Sequence, residues 1–144
     1  MGAPPRLEHV FLKSDTLTYF FTCCVDPRLS VLANPPFMDA VRTAVKKLPA
    51  WHLWCGVIMP DHLHFLLSPL KSDHSISDFS GAFKRWTRKA VHADWTWQKG
   101  SFDRLLRSDE QAEQKWAYIR ENPVRKGLVS QWADWPYRID WTQL

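Results

Sequence analysis

Two histidines two residues apart, His62 and His64, and a tyrosine four residues before an asparagine, Tyr118 and Asn122, are the side chains of this 144-residue chain whose types and spacing suit chemistry. Imidazole is a common ligand for divalent ions, and alternate residues of a strand point to one face, so both rings can meet one ion if 62–64 is extended. Leu63 and Phe65 then turn toward the core, as expected of a strand with packing on one side and chemistry on the other. The plainer alternative is a pair of solvent-facing histidines. On a helix, residues four apart share a face, so Tyr118 can offer a phenol as nucleophile while Asn122 offers an amide oxygen as ligand. Here the alternative packs Tyr118 into the core beside Trp116 or Ile119 and leaves Asn122 to end the helix before Pro123. His52 is separated from the pair by a turn, and His9, His74 and His92 have no partner at ligand spacing, so these four read as structural or surface residues.

The elements that must position these groups are legible from breaks and periodicity. Thr16 to Val25 is rich in β-branched and aromatic residues and is closed by Pro27, which predicts a strand. Asn34 followed by Pro35 and Pro36 has the form of a helix cap, and Phe37, Val41, Ala44, Val45 and Leu48 recur at helical spacing until Pro49. Trp51 to Met59 and His64 to Leu70 are apolar runs joined at Pro60 and Asp61, a strand hairpin. Ser75 and Asp78 cap a second helix whose stripe is Ile76, Phe79, Phe83, Trp86 and Ala90, with Lys84, Arg85, Arg88 and Lys89 on its other side. A short strand, Ser101 to Arg107, precedes a third helix opened by Ser108 and Gln111 and running toward Asn122, and Gly127 permits a turn into the tail. Strand, helix, strand, strand, helix, strand is the order of the split βαβ ferredoxin-like sandwich. The expected architecture is therefore α+β, an antiparallel sheet with helices on one face and one additional C-terminal helix.

Composition narrows the class. The length suits one domain spanning 1–144, and no apolar stretch reaches the roughly 18 residues of a membrane span. The N-terminal residues Pro4, Pro5, Arg6 and Glu8 lack the apolar core of a signal peptide, so a soluble, intracellular protein is expected. Cys23, Cys24 and Cys55 form neither a CxxC pair nor a disulfide framework and read as reduced, packed thiols. A net charge of +4 favours an anionic partner. Nine tryptophans supply either core or stacking platforms for unpaired bases, and most are assigned to packing. Cupins, which need an all-β barrel, and metal-dependent amidohydrolases, which need a barrel of roughly 250 residues, are excluded on architecture.

Four segments in order, MPDHLHFLL (Met59 to Leu67), FKRWTRK (Phe83 to Lys89), WQKGSFDRLLRS (Trp97 to Ser108) and YIRENPVRKGLV (Tyr118 to Val129), resemble the REP-associated branch of the single-tyrosine HUH transposases, and the resemblance runs from Thr16 to about Tyr137. It implies that His62 and His64 bind a divalent ion, magnesium or manganese, that Asn122 is a third ligand, and that Tyr118 is the nucleophile on a catalytic helix. Related insertion-sequence enzymes usually carry glutamine where Asn122 stands, and the family commonly has asparagine where this chain has Asp61. The implied substrate is single-stranded DNA flanking an imperfect hairpin, cut and rejoined through a 5′-phosphotyrosine. Arg85, Arg88, Arg104, Arg107, Arg120, Arg125 and Lys126 are the basic side chains nearest the motifs and suit phosphate contacts. A bacterial cytoplasmic location, association with the nucleoid when DNA is bound, no membrane partner, and a monomer or a homodimer follow from the same resemblance. The rival readings are a non-catalytic binder of structured single-stranded nucleic acid and a zinc hydrolase in which Tyr118 is passive.

Overall fold

The computed structural model describes residues 17–71 and 74–140. Strand β1 (Thr18–Asp26) is followed by helix α1 (Pro35–Lys46), the hairpin strands β2 (Trp51–Ile58) and β3 (His62–Pro69), and helix α2 (Ile76–Ala90). Two short strands come next, β4 (Thr96–Trp97) and β5 (Phe102–Leu106), then helices α3 (Asp109–Ile119) and α4 (Asn122–Arg125), and strand β6 (Arg138–Ile139). The sheet runs β4-β1-β3-β2-β6, with β5 also paired to β1, and every pairing is antiparallel. This is the ferredoxin-like arrangement that the element order predicts, with its fourth strand divided: β5 lines Thr18 to Thr22 and β4 lines Val25 and Asp26 on the same edge of β1.

The caps form as their sequences require. The side chains of Asn34, Ser75 and Ser108 accept from the backbone N–H groups of Phe37, Asp78 and Gln111, satisfying donors that each helix start leaves open. On one face of the sheet α1 and α2 close over Phe21, Leu63, Phe65 and Leu67 with Phe37, Val41, Ala44, Phe79 and Phe83, all buried. The other face carries Phe20, Val57 and Leu66 beneath Ala112, Trp116 and Ile119 of α3, with Leu106 and Trp135 alongside. Helices α1 and α2 thus share one face, and the additional helix takes the opposite one. The two faces stay apolar along β2 because the register slips between Leu53 and Cys55: Leu53 opposes Leu67 and Cys55 opposes Leu66, so the strand changes which parity it sends to each side. Gly56 leaves no room for a side chain, since a Cβ there would sit 2.5 Å from Phe65 Cδ1 and 2.9 Å from the His64 carbonyl oxygen.

Three details differ from the sequence expectation. The third helix stops at Ile119 rather than running to Asn122, and Pro123 lies in the first turn of α4. Inside a continuous helix its ring would collide with the carbonyl four residues back, whereas a first turn needs no N–H there. Strands β4 and β6 are two residues each, too short to leave a period in the sequence. In α2, Ser80 and Thr87 are buried beside Phe79 and Phe83, while Trp86 is only half-buried and Ala90 is exposed. Thr87 Oγ1 donates to the Phe83 carbonyl at 2.9 Å, which lets a polar residue sit in the core.

Cys23, Cys24 and Cys55 are free thiols. Trp51, Trp95, Trp97, Trp116 and Trp135 are buried and Trp54, Trp86 and Trp132 half-buried, so tryptophan here is chiefly packing material. Trp135 donates to the Ile58 carbonyl at 3.0 Å and β6 pairs with Gly56 and Val57, so the tail covers the β2 edge. Trp141 and His9 lie outside the described residues. Among the described residues no helix is long and apolar enough to cross a membrane.

Candidate functional site

His62 and His64 open β3, and strand alternation sends both rings to the α3 side while Leu63 and Phe65, fully buried, point to the other. Their ring centroids are 5.0 Å apart. The neighbouring strand supplies the support: Cys24 lies opposite His62 and Thr22 opposite His64. Thr22 Oγ1 is hydrogen-bonded to His64 Nδ1 at 2.8 Å, and the Phe20 ring stacks on His64 at 5.4 Å. Burial, reinforced by His62 once it is protonated and by the positive charges of Lys115 and Arg125, drives the His64 pKa down to about 3, so this ring is neutral at physiological pH. Burial also lowers His62, against the opposing pull of Asp61.

Asp61 Oδ1 lies 2.7 Å from His62 Nδ1, and the same carboxylate is gripped from outside by Arg28, Nε to Oδ2 at 3.0 Å and Nη2 to Oδ1 at 3.3 Å. Burial pulls the Asp61 carboxyl up, but hydrogen bonds from Arg28 and His62 outweigh it and hold the group below its ordinary value. Arg28 Nη2, which can only donate, also lies 3.3 Å from His62 Nδ1, but the Asp61 carboxylate, which can only accept, is closer at 2.7 Å, so the single proton of a neutral His62 sits on Nδ1 and the Nε2 lone pair is left for an ion. This is the outer support that metal-ligating histidines commonly have. Among the described residues no group of three or more His, Cys, Asp or Glu side chains is disposed to hold an ion. Two imidazoles do not complete an ion's shell, so the remaining donors would be oxygens, a set that suits manganese and is compatible with magnesium.

Tyr118 lies in the last turn of α3, the helix that packs on the histidine face. Its neighbours Trp116 and Ile119 are buried, but Tyr118 itself is 60% exposed, so the core alternative for this phenol does not hold. The Arg125 guanidinium sits 4.0 Å from the centre of its ring and donates through Nη2 to the Tyr118 carbonyl at 2.8 Å and to Asn122 Oδ1 at 2.7 Å. The amide oxygen of Asn122 is thus engaged by Arg125, on α4 and beyond the helix break.

The basic residues fall into separate groups. Arg85 and Arg88 line a groove of ≈ 860 Å³ between α2 and the 96–100 segment, with Lys84, Lys89 and Lys99. Arg88 Nε donates to the Trp95 carbonyl at 2.8 Å. Arg104 and Arg107 line a second groove of ≈ 620 Å³ with Lys115 and Tyr118. Lys126 shares a hollow of ≈ 270 Å³ with Arg28, Asp61 and His62. Arg120 stands apart: its side chain is 10% exposed, its guanidinium lies 4.6 Å from the centre of the Trp132 ring, and burial lowers its pKa, so it is not open to a phosphate in this conformation.

Sequence reasoning missed Thr22, Arg28 and Lys115. Parity along β1 would have offered Thr22 only once the β1–β3 register was known, and Arg28 follows its strand with no periodic signal at all.

Fold and site together define an α+β ferredoxin-like sheet that displays a buttressed histidine pair on the face covered by a tyrosine-bearing helix. No protein-family model matches the chain. It is 27% identical over 126 residues to the REP-associated tyrosine transposase of Escherichia coli strain K12, covering 83% of this chain and 74% of that protein. A Haemophilus influenzae protein given the same name provisionally is 26% identical over 136 residues, covering 83% and 77%. Among solved structures, a REP-associated tyrosine transposase bound to a REP hairpin superposes with a TM-score of 0.74 at 25% identity, over 84% of this chain and 74% of that one. In sequence and in fold the chain is similar to the REP-associated tyrosine transposases.

Proposed function

We propose that this protein is a metal-dependent nuclease and strand transferase that cuts and rejoins single-stranded DNA beside a hairpin through Tyr118. The observation that carries the reading is the pairing of two supported imidazoles with an exposed phenol on the helix over the same face of the sheet. The relatives' names point the same way, as does the hairpin held by the solved relative.

His62 and His64 would hold a magnesium or manganese ion, which supplies Lewis-acid polarisation of a phosphoryl oxygen. Asn122 would join them if Arg125 left its amide for a phosphate, an acceptor that carries the opposite charge. Tyr118 Oη attacks phosphorus in line as its phenolic proton passes to solvent; the new O–P bond replaces the bond to the 3′ oxygen, which takes up a proton from solvent. The products are a 5′-phosphotyrosine and a free 3′-hydroxyl, and attack by another 3′-hydroxyl reverses the step with no external energy source.

The test is incubation of the protein with a labelled hairpin carrying an unpaired flank, with manganese or with EDTA, followed by a denaturing gel. A slow-migrating covalent species that needs the ion and disappears in Tyr118→Phe, with DNA binding retained, is the expected result. An adduct that survives in Tyr118→Phe removes the nucleophile assignment. Cleavage without any adduct selects the hydrolase reading, and binding without cleavage selects the non-catalytic one.

A further inference from the structure

The groove between β5 and α3 has a composition that the cutting chemistry does not require. Its described lining residues include three cations, Arg104, Arg107 and Lys115, and no carboxylate, and Tyr118 stands at one end. Beside it, the Phe102 ring is 56% exposed. The register explains where this ring points: Phe102 lies opposite Thr22 and Arg104 opposite Phe20, so both share the histidine face, as does Leu106, which is buried under α3. Phe102 meets Phe20 edge-on at 6.1 Å, and Phe20 stacks on His64 at 5.4 Å, a ladder of rings leading to the site. Lys115 completes it, with Nζ 4.7 Å from the centre of the Phe20 ring.

Resting on the function proposed above, we infer that Phe102, Arg104 and Lys115 form a subsite for an unpaired nucleotide of the DNA strand next to the scissile phosphate, with its base on the Phe102 ring and its phosphates on the two cations. A paired base is stacked on both faces and cannot lie on a protein ring, whereas an unpaired one can, irrespective of its identity. Cations without counter-carboxylates along the groove match the backbone of such a strand. The subsite thereby separates two tasks: recognition of a hairpin elsewhere on the surface, and delivery of the adjoining single strand to Tyr118.

The test uses full-length protein in a Tyr118→Phe background, so that no probe is cut, and fluorescence anisotropy with two DNAs, a bare hairpin and the same hairpin with a short unpaired flank. The flank should add affinity. Phe102→Ala should weaken the flanked probe about 5- to 160-fold, the value of one base–aromatic stack, and leave the bare hairpin unchanged. Phe102→Trp should restore binding, which a purely structural role on an exposed position would not demand. Arg104→Gln should flatten the dependence of log affinity on log salt by about 0.7 for the flanked probe alone. A flank that adds nothing, or Phe102→Ala losing equally on both probes or on neither, overturns the subsite while leaving the DNA-binding reading standing. If neither DNA binds the parent protein, the proposed function fails and the subsite with it.

Discussion

Replacing Asp61 by alanine tests whether the histidine pair is an ion site at all. In the native arrangement the carboxylate accepts a hydrogen bond from His62 Nδ1 at 2.7 Å and is itself clamped by two contacts from Arg28 at 3.0 and 3.3 Å. Without the acceptor, the proton is free to move to Nε2, the atom that must be bare to bind an ion, and the ring loses its fixed orientation. A hydrogen bond to a charged group contributes about 1.5–3 kcal/mol, and loss of outer carboxylates at metal sites costs about 10- to 100-fold in affinity, two routes to the same magnitude. Asp61→Ala should therefore bind manganese about 10- to 100-fold more weakly. Asp61→Asn keeps an accepting oxygen but forfeits the ion pair with Arg28, so its loss should be smaller. The assay is titration of manganese against metal-free protein without DNA, reading free ion by electron paramagnetic resonance. A long-range proton–nitrogen NMR spectrum reports the His62 tautomer in parallel. Unchanged manganese affinity in Asp61→Ala, together with an unchanged tautomer, would refute the reasoning.

Other consequences follow from the same contacts. His64→Ala should abolish ion-dependent cleavage and manganese binding while leaving the fold intact, checked by the gel assay and circular dichroism. Gly56→Ala should destabilise the protein by about 1–3 kcal/mol, because its methyl would press on a fully buried Phe65 and on the backbone of His64; urea denaturation measures this. Acid should destabilise the metal-free protein through His64: the unfolded chain takes up its proton below about 6.5 while the folded chain resists until about 3. Stability then falls as pH drops through that window, by up to about 1.4 kcal/mol per unit, and His64→Gln should remove this contribution from the slope of urea midpoints between those limits. Arg125→Ala should tighten manganese binding, since it frees the Asn122 oxygen and removes a positive charge that acts on His64; the same titration detects it.

Much of this protein is local and therefore written in the chain. Asn34, Ser75 and Ser108 announce their helices because a cap needs only a side-chain oxygen three residues before the N–H it accepts. The parity of His62, Leu63, His64 and Phe65 determines by itself that the imidazoles leave the core when 62–65 is a strand. Element order likewise specified the ferredoxin-like sheet, since short connections leave few ways to pair four strands. The end of the third helix is not legible in the chain because a proline signals a break equally whether it ends one helix or opens the next. What tertiary structure alone decided are the relations between distant segments: α3 taking the face opposite α1 and α2, Thr22 and Arg28 arriving at the imidazoles from another part of the chain, Arg125 claiming the Asn122 oxygen, and Phe102 left bare beside Phe20. Registers between strands and the side of a sheet that a helix covers are set by the summed burial of many side chains, and no short window of sequence contains that sum.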